Sequence, residues 1–148
     1  MTQDTATRYP LVLVPGMLGF VRLVLYPYWY GIIPALRRGG ANVIAVQVSP
    51  VNSNEVRGEE LLLQIQSILR ETGADKVNLI GHSQGSLTAR YAAAKRPDLV
   101  ASVTSVAGPN HGSELADYLH RHYPPESAKG RFALPEKTSM FCLLIADP

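Results

Sequence analysis

The chain has 148 residues, enough for one domain with a buried core, and at 46% hydrophobic and 18% charged it reads as globular rather than disordered. A formal net charge of +2 gives no electrostatic reason to expect nucleic acid or an anionic membrane surface as partner. The single cysteine, Cys142, rules out an internal disulfide, and no Cys/His spacing suits a structural metal site.

Taken in order, Met1 to Arg8 is polar and lacks the basic start and apolar stretch of a cleavable signal peptide. Leu11-Val12-Leu13-Val14 is a short buried strand that ends at Pro15-Gly16. The stretch from Leu11 to Ile33 is fairly apolar, but Pro15, Gly16, Arg22, Pro27 and Gly31 interrupt it, so it does not read as a membrane span. Tyr28 to Arg38 is expected to be helical, with Pro34 confining its regular part mainly to Pro34–Arg38 and Gly39-Gly40 stopping it. Val43 to Val48 is the next strand. Glu55 to Thr72 is the clearest helix: Leu61, Leu62, Ile65, Ile68 and Leu69 share one face, and Arg57, Glu60, Gln64, Gln66 and Glu71 mostly line the other. Asn52 or Asn54 is available to cap its start, and Gly73 follows its end.

Lys76 to Ile80 is a strand, Ser83 to Arg96 a helix ended by Pro97, Val100 to Val106 a strand, and Glu114 to His122 a further helix. Alternating strands and helices predict an α/β architecture: a parallel sheet with right-handed crossovers, apolar strands and helices on both faces. From Tyr123 onward the character changes to a tail rich in Pro, Ser and charge, in which only Met140 to Ala146 has strand character. Cys142 lies inside that run and reads as a small buried hydrophobe. The division is thus residues 1–122 as a domain and residues 123–148 as a divergent, Pro-containing tail.

The chemistry is expected at Gly81-His82-Ser83-Gln84-Gly85, which directly follows the apolar run Val77-Asn78-Leu79-Ile80 and directly precedes a helix. This is the G-x-S-x-G nucleophile elbow in its strand–turn–helix setting. A serine hydroxyl is a poor nucleophile unless it is held exposed beside a base and beside donors for the oxyanion. A tight turn pushes Ser83 outward, Gly81 and Gly85 let strand and helix close on each other, and the helix N-terminus favours developing negative charge. The loop Val14-Pro15-Gly16-Met17-Leu18-Gly19-Phe20 leaves the first strand at its C-terminal end, where open parallel sheets bind ligands. The backbone N–H groups of Met17 and Gln84 are the expected oxyanion donors. His111, in Ala107-Gly108-Pro109-Asn110-His111-Gly112, should border the same crevice, either as a base or as a structural histidine bonding loop backbone. His82 is expected to support the turn rather than take the serine proton. Phe20, Tyr26, Tyr28, Trp29 and Tyr30 form an aromatic cluster that either shapes an acyl pocket or packs the core.

Several segments in register carry a resemblance to the Pseudomonas-type bacterial triacylglycerol lipases. They are Tyr9-Pro10-Leu11-Val12-Leu13-Val14, Gly16-Met17-Leu18-Gly19-Phe20, Tyr30-Gly31-Ile32, Ser53-Asn54-Glu55-Val56-Arg57-Gly58, the elbow with its strand, Ala101-Ser102-Val103-Thr104-Ser105-Val106 and Asn110-His111-Gly112-Ser113-Glu114-Leu115-Ala116-Asp117. The resemblance covers about residues 9–117. It implies an α/β-hydrolase fold, hydrolysis of carboxylic esters of the lipid or acylglycerol kind, and secretion; no cofactor is expected. It also implies Ser83 as nucleophile and Met17 and Gln84 as oxyanion donors.

The chain departs from that pattern at Pro15, where the family usually has His, and at Val21, where it has an acidic residue. The family's acid, base, calcium-binding aspartates and most of its lid lie beyond the matched region. Asp98, Glu114 and Asp117 precede His120 and His122 in the expected order, but all sit on surface helices, and no histidine follows Asp147. The rival expectation is a catalytically incomplete, truncated or split lipase. Its sheet would end at Val100–Val106 and leave an edge through which copies associate.

Overall fold

The computed structural model describes residues 4–17, 19, 22–23, 26–50 and 52–122. The tail expected after Tyr123, with Cys142, the Met140–Ala146 run and Asp147, lies outside them, as do Phe20 and Val21.

Strands β1 (Leu11–Val14), β4 (Val43–Ala45), β5 (Val77–His82) and β6 (Val100–Val106) form a four-stranded parallel sheet in the order β4-β1-β5-β6. The chain leaves β1 toward β4 on one side. It returns through α2 (Asn54–Thr72) to β5 on the other, so the strand order reverses between β1 and β5. That places the first strand and the strand of the elbow side by side. Helices α1 (Ile32–Arg38), α3 (Gln84–Lys95) and α4 (Glu114–His122) complete the main elements.

Alternation along β1 divides the core. Val12 and Val14 join Leu61, Leu62, Ile65 and Ile68 of α2, Leu79 of β5 and Ala89 and Ala92 of α3 on one face. Leu11 and Leu13 join Trp29, Ala41 and Val43 on the other, with Ile33 and Leu36 of α1 packed against them. Helices therefore cover both faces of β1. The expectation of two covered faces fails at β6, where only Val100 and Val103 are half-buried and the rest of the strand is exposed.

Local differences from the sequence reading have identifiable causes. Residues Tyr28 to Tyr30 form a turn, with the Tyr30 N–H donating to the Pro27 carbonyl at 3.0 Å, instead of starting α1. Gly31, at φ 75°, separates that turn from the helix. Pro34 falls in the first turn of α1, where a missing N–H costs nothing, so the helix begins two residues earlier than Pro34. Ser53, rather than Asn52 or Asn54, caps α2: its side chain accepts from the Val56 N–H at 3.1 Å. Strand β4 stops at Ala45, although the Val46 N–H still reaches the Leu13 carbonyl at 3.1 Å. A two-stranded antiparallel ribbon, β2 (Arg22–Leu23) with β3 (Tyr26–Pro27), was not legible in the sequence.

Candidate active site

Ser83 sits between β5 and α3 at φ 55°, ψ −130°, one of two non-glycine residues with positive φ among those described. An L-residue adopts that conformation only when its surroundings impose it. Here they do so from both sides. The Ser83 N–H donates to the Val106 carbonyl of β6 at 2.9 Å, and its own carbonyl accepts from the Ser86 N–H at 3.0 Å. The buried Ser86 hydroxyl donates to the Gly81 carbonyl at 2.8 Å, tying the first turn of α3 back to β5. A Cβ on Gly81 would lie 2.6 Å from Ser86 Cα, and one on Gly85 would lie 2.6 Å from the Pro15 carbonyl oxygen. Both motif glycines are needed for the close approach expected of them.

The loop after β1 comes equally near. A Cβ on Gly16 would stand 2.8 Å from Ser83 Cβ. Three side chains hold this loop. Arg57 is fully buried and donates through Nη2 to the Pro15 carbonyl at 2.6 Å and more distantly to Gly16 at 3.4 Å. It also donates through Nη1 to the Ser49 carbonyl at 2.6 Å and through Nε to the Thr88 hydroxyl at 3.1 Å. Gln47 donates through Nε2 to the Gly19 carbonyl at 3.1 Å. Tyr28 accepts from the Gly16 N–H at 3.1 Å. Within the loop the Gly19 N–H donates to the Gly16 carbonyl at 3.1 Å.

Burial pulls the Arg57 guanidinium down to about 10, with the Glu60 carboxylate opposing, so it stays charged at neutral pH. It places a fixed cation behind the loop. Arg57 does not lie on the polar face of α2, where its charge would put it: Arg57, Leu61 and Ile65 follow i, i+4, i+8 along the buried stripe. That spacing was the available signal.

Among the expected site residues, Ser83, Gln84 and His82 converge with Gly16, the residue before Met17. Gln84 is buried at the start of α3, and its backbone N–H is one of the orphan donors of that helix. His82 is half-buried, with Nδ1 2.6 Å from the Tyr28 hydroxyl and its ring edge-on to Tyr28 and Trp29. The aromatic cluster splits: Trp29 is in the core, Tyr28 is at the site, and Tyr30 is 72% exposed. His111 lies exposed in the turn that follows β6, and His122 is exposed and stacked on Tyr118. Asp98 is paired with Arg96 at 2.7 Å. Among the described residues, no histidine is hydrogen-bonded to Ser83 and no cluster of His, Cys, Asp or Glu side chains is arranged to hold a metal ion.

A parallel sheet with a serine elbow beside its reversal point, and a backbone loop packed against that serine, defines a class of fold that comparison can test. The family model described as the alpha/beta hydrolase fold matches residues 9–148, and the chain belongs to that family. The match runs on past Asp117, where the motif resemblance stops.

Within the family, the sequence is similar to bacterial triacylglycerol lipases. It is 50% identical over 146 residues to that of Pseudomonas fragi, covering 99% of this chain and 50% of that protein. It is 52% identical over 130 residues to that of Vibrio cholerae, covering 88% of this chain and 42% of that protein. The chain thus spans about half the length of these relatives. Solved structures agree on the fold. A mature lipase of Bacillus licheniformis superposes with a TM-score of 0.68 at 21% identity, over 91% of this chain and 54% of that one. A metagenomic carboxyl esterase also gives 0.68, at 22% identity, over 94% and 43%.

Proposed function

We propose that the protein is a carboxylic ester hydrolase of the lipase type, acylated on Ser83 by lipid or acylglycerol esters. The observation that carries this reading is the strained Ser83 conformation at the N-terminus of α3, with the loop after β1 packed against it. The Ser83 hydroxyl oxygen attacks the ester carbonyl, and the Met17 and Gln84 N–H groups receive the developing oxyanion. The C–O bond to the alcohol then breaks, the alcohol leaves with a proton, and water hydrolyses the acyl-enzyme. None of the described histidines is hydrogen-bonded to Ser83, so no side chain is assigned as the base. The substrate class is supported by the names of the relatives, both triacylglycerol lipases.

The test is labelling with a p-nitrophenyl alkylphosphonate alongside hydrolysis of p-nitrophenyl esters. The wild-type protein should label and release p-nitrophenol, and Ser83→Ala should do neither. Label that persists in Ser83→Ala, or its absence from the wild type, would sink the assignment.

We further propose that copies associate through β6, which pairs only with β5 among the described residues and is largely exposed. Sedimentation velocity should show association that rises with concentration and weakens in Thr104→Lys. A monomer at every concentration would refute it.

A further inference from the structure

We propose that Tyr28 is a positioning residue for the Met17 oxyanion donor, acting through the peptide group before it. The proposal rests on the Ser83 reading above. The Pro15–Gly16 peptide is gripped at both ends: its carbonyl accepts from Arg57 Nη2 at 2.6 Å, and its N–H donates to the Tyr28 hydroxyl at 3.1 Å. The plane of that peptide is thereby fixed. The next peptide carries the Met17 N–H, and the pivot between the two is Gly16, which has no Cβ to restrict its own rotation. Gly16 must be glycine, because a Cβ there would meet Ser83 Cβ at 2.8 Å and crowd the Tyr28 hydroxyl at 3.2 Å. The freedom that this residue type brings has to be removed by bonds to the groups on either side of it. The Gly19 N–H holds the Gly16 carbonyl, and Tyr28 holds the Gly16 amide.

The second bond of Tyr28 makes this an alignment between loop and elbow. The same hydroxyl lies 2.6 Å from His82 Nδ1 and is hydrogen-bonded to it, the imidazole tautomer setting which of the two donates. His82 is bonded in sequence to Ser83. One hydroxyl therefore joins the peptide before the oxyanion donor to the residue before the nucleophile. Tyr28 is itself braced, with its ring edge-on to the buried Trp29 at 5.0 Å between centroids. Hydrogen-bond donors help a transition state only when they are aimed at the point where charge develops. Loss of the bridge should therefore slow acylation without altering affinity for the acyl chain.

Tyr28→Phe keeps the ring and removes the bridge. Phosphonate labelling is followed over a range of concentrations, with amide NMR of Gly16 and Met17 recorded in parallel. The limiting labelling rate should fall roughly ten- to a hundredfold, the half-saturating concentration should stay constant, and the Met17 amide resonance should shift. A limiting rate equal to wild type overturns the proposal, even if the Gly16 amide moves. If the wild type does not label at all, it is the nucleophile assignment that fails. The Met17 amide then decides the present one: a shift in Tyr28→Phe upholds it and a fixed resonance overturns it. Should Tyr28→Phe fail to fold, 3-fluorotyrosine at position 28 keeps ring and hydroxyl while weakening the oxygen as acceptor. A reduced limiting rate then supports the proposal, and an unchanged one refutes it.

Discussion

Arg57 on α2 donates to the carbonyl of Pro15, 42 residues earlier, at 2.6 Å, and so ties that helix to the loop beside the candidate nucleophile. The same guanidinium satisfies Ser49 and Thr88 and is fully buried. Arg57→Met should destabilise the fold by about 3 kcal/mol, because three acceptors lose their donor in a site that water does not reach. Arg57→Lys keeps the charge but not the fork, so it should fall between the two. Urea unfolding midpoints measure both, and a Met variant as stable as wild type would refute the clamp.

Ser83 holds φ 55°, a conformation that glycine adopts freely. Backbone strain of this kind costs about 1–3 kcal/mol, and part of its relief is offset by the greater freedom of an unfolded glycine. Ser83→Gly should therefore raise stability by about 1 kcal/mol while abolishing phosphonate labelling. A lower unfolding midpoint would mean that the turn is unstrained.

Two glycines separate steric need from conformational need. At Gly73, the C-cap of α2 at φ 69°, nothing lies within 4 Å of an added Cβ, so Gly73→Ala should cost only about 1 kcal/mol from the left-handed backbone. At Gly81 the added methyl would meet the backbone of α3 at 2.6 Å, so Gly81→Ala should cost about 3 kcal/mol or more. Calorimetry on the pair should reproduce that order, and equal costs would contradict it.

The Arg96 side-chain hydrogen bonds hold the Asp98 carboxyl below the usual carboxylate range, at an exposed site. Because the folded value lies below the unfolded one, its contribution is present above the ordinary carboxylate range and is lost as pH falls through the folded value. Arg96→Gln should return the Asp98 carboxyl toward the ordinary value in a carbon-detected NMR titration, with little change in stability at neutral pH. An Asp98 titration unmoved by the change would show that the pair is not what depresses it.

Strand–helix alternation and the elbow were legible because both are local: an apolar run, a Gly-x-Ser-x-Gly turn and a periodic helix follow one another without a gap. Strand β6 and helix α4 follow their sequence patterns at both ends. The bracing of the site was not legible, because it is made by contacts across long separations. Arg57 looked like a surface cation until its place on the Leu61 stripe put it under the loop. Tyr28 looked like the start of a helix, yet Gly31 ends its turn and frees its hydroxyl for Gly16 and His82. Ser53 won the cap from its asparagine neighbours through geometry that composition does not reveal.

At the β4 side of the sheet, side chains occupy some of the backbone groups that point away from β1. Arg37 Nη2 donates to the Val43 carbonyl at 2.8 Å. Just past the strand, the Gln64 amide both donates to the Gln47 carbonyl, at 2.7 Å, and accepts from its N–H, at 3.3 Å, as a neighbouring strand would. The two borders of the sheet are therefore unequal, one partly occupied and the other, at β6, exposed. A surface that can be extended from one side only closes on itself after a single addition. The contact proposed through β6 would then give pairs related by a two-fold axis.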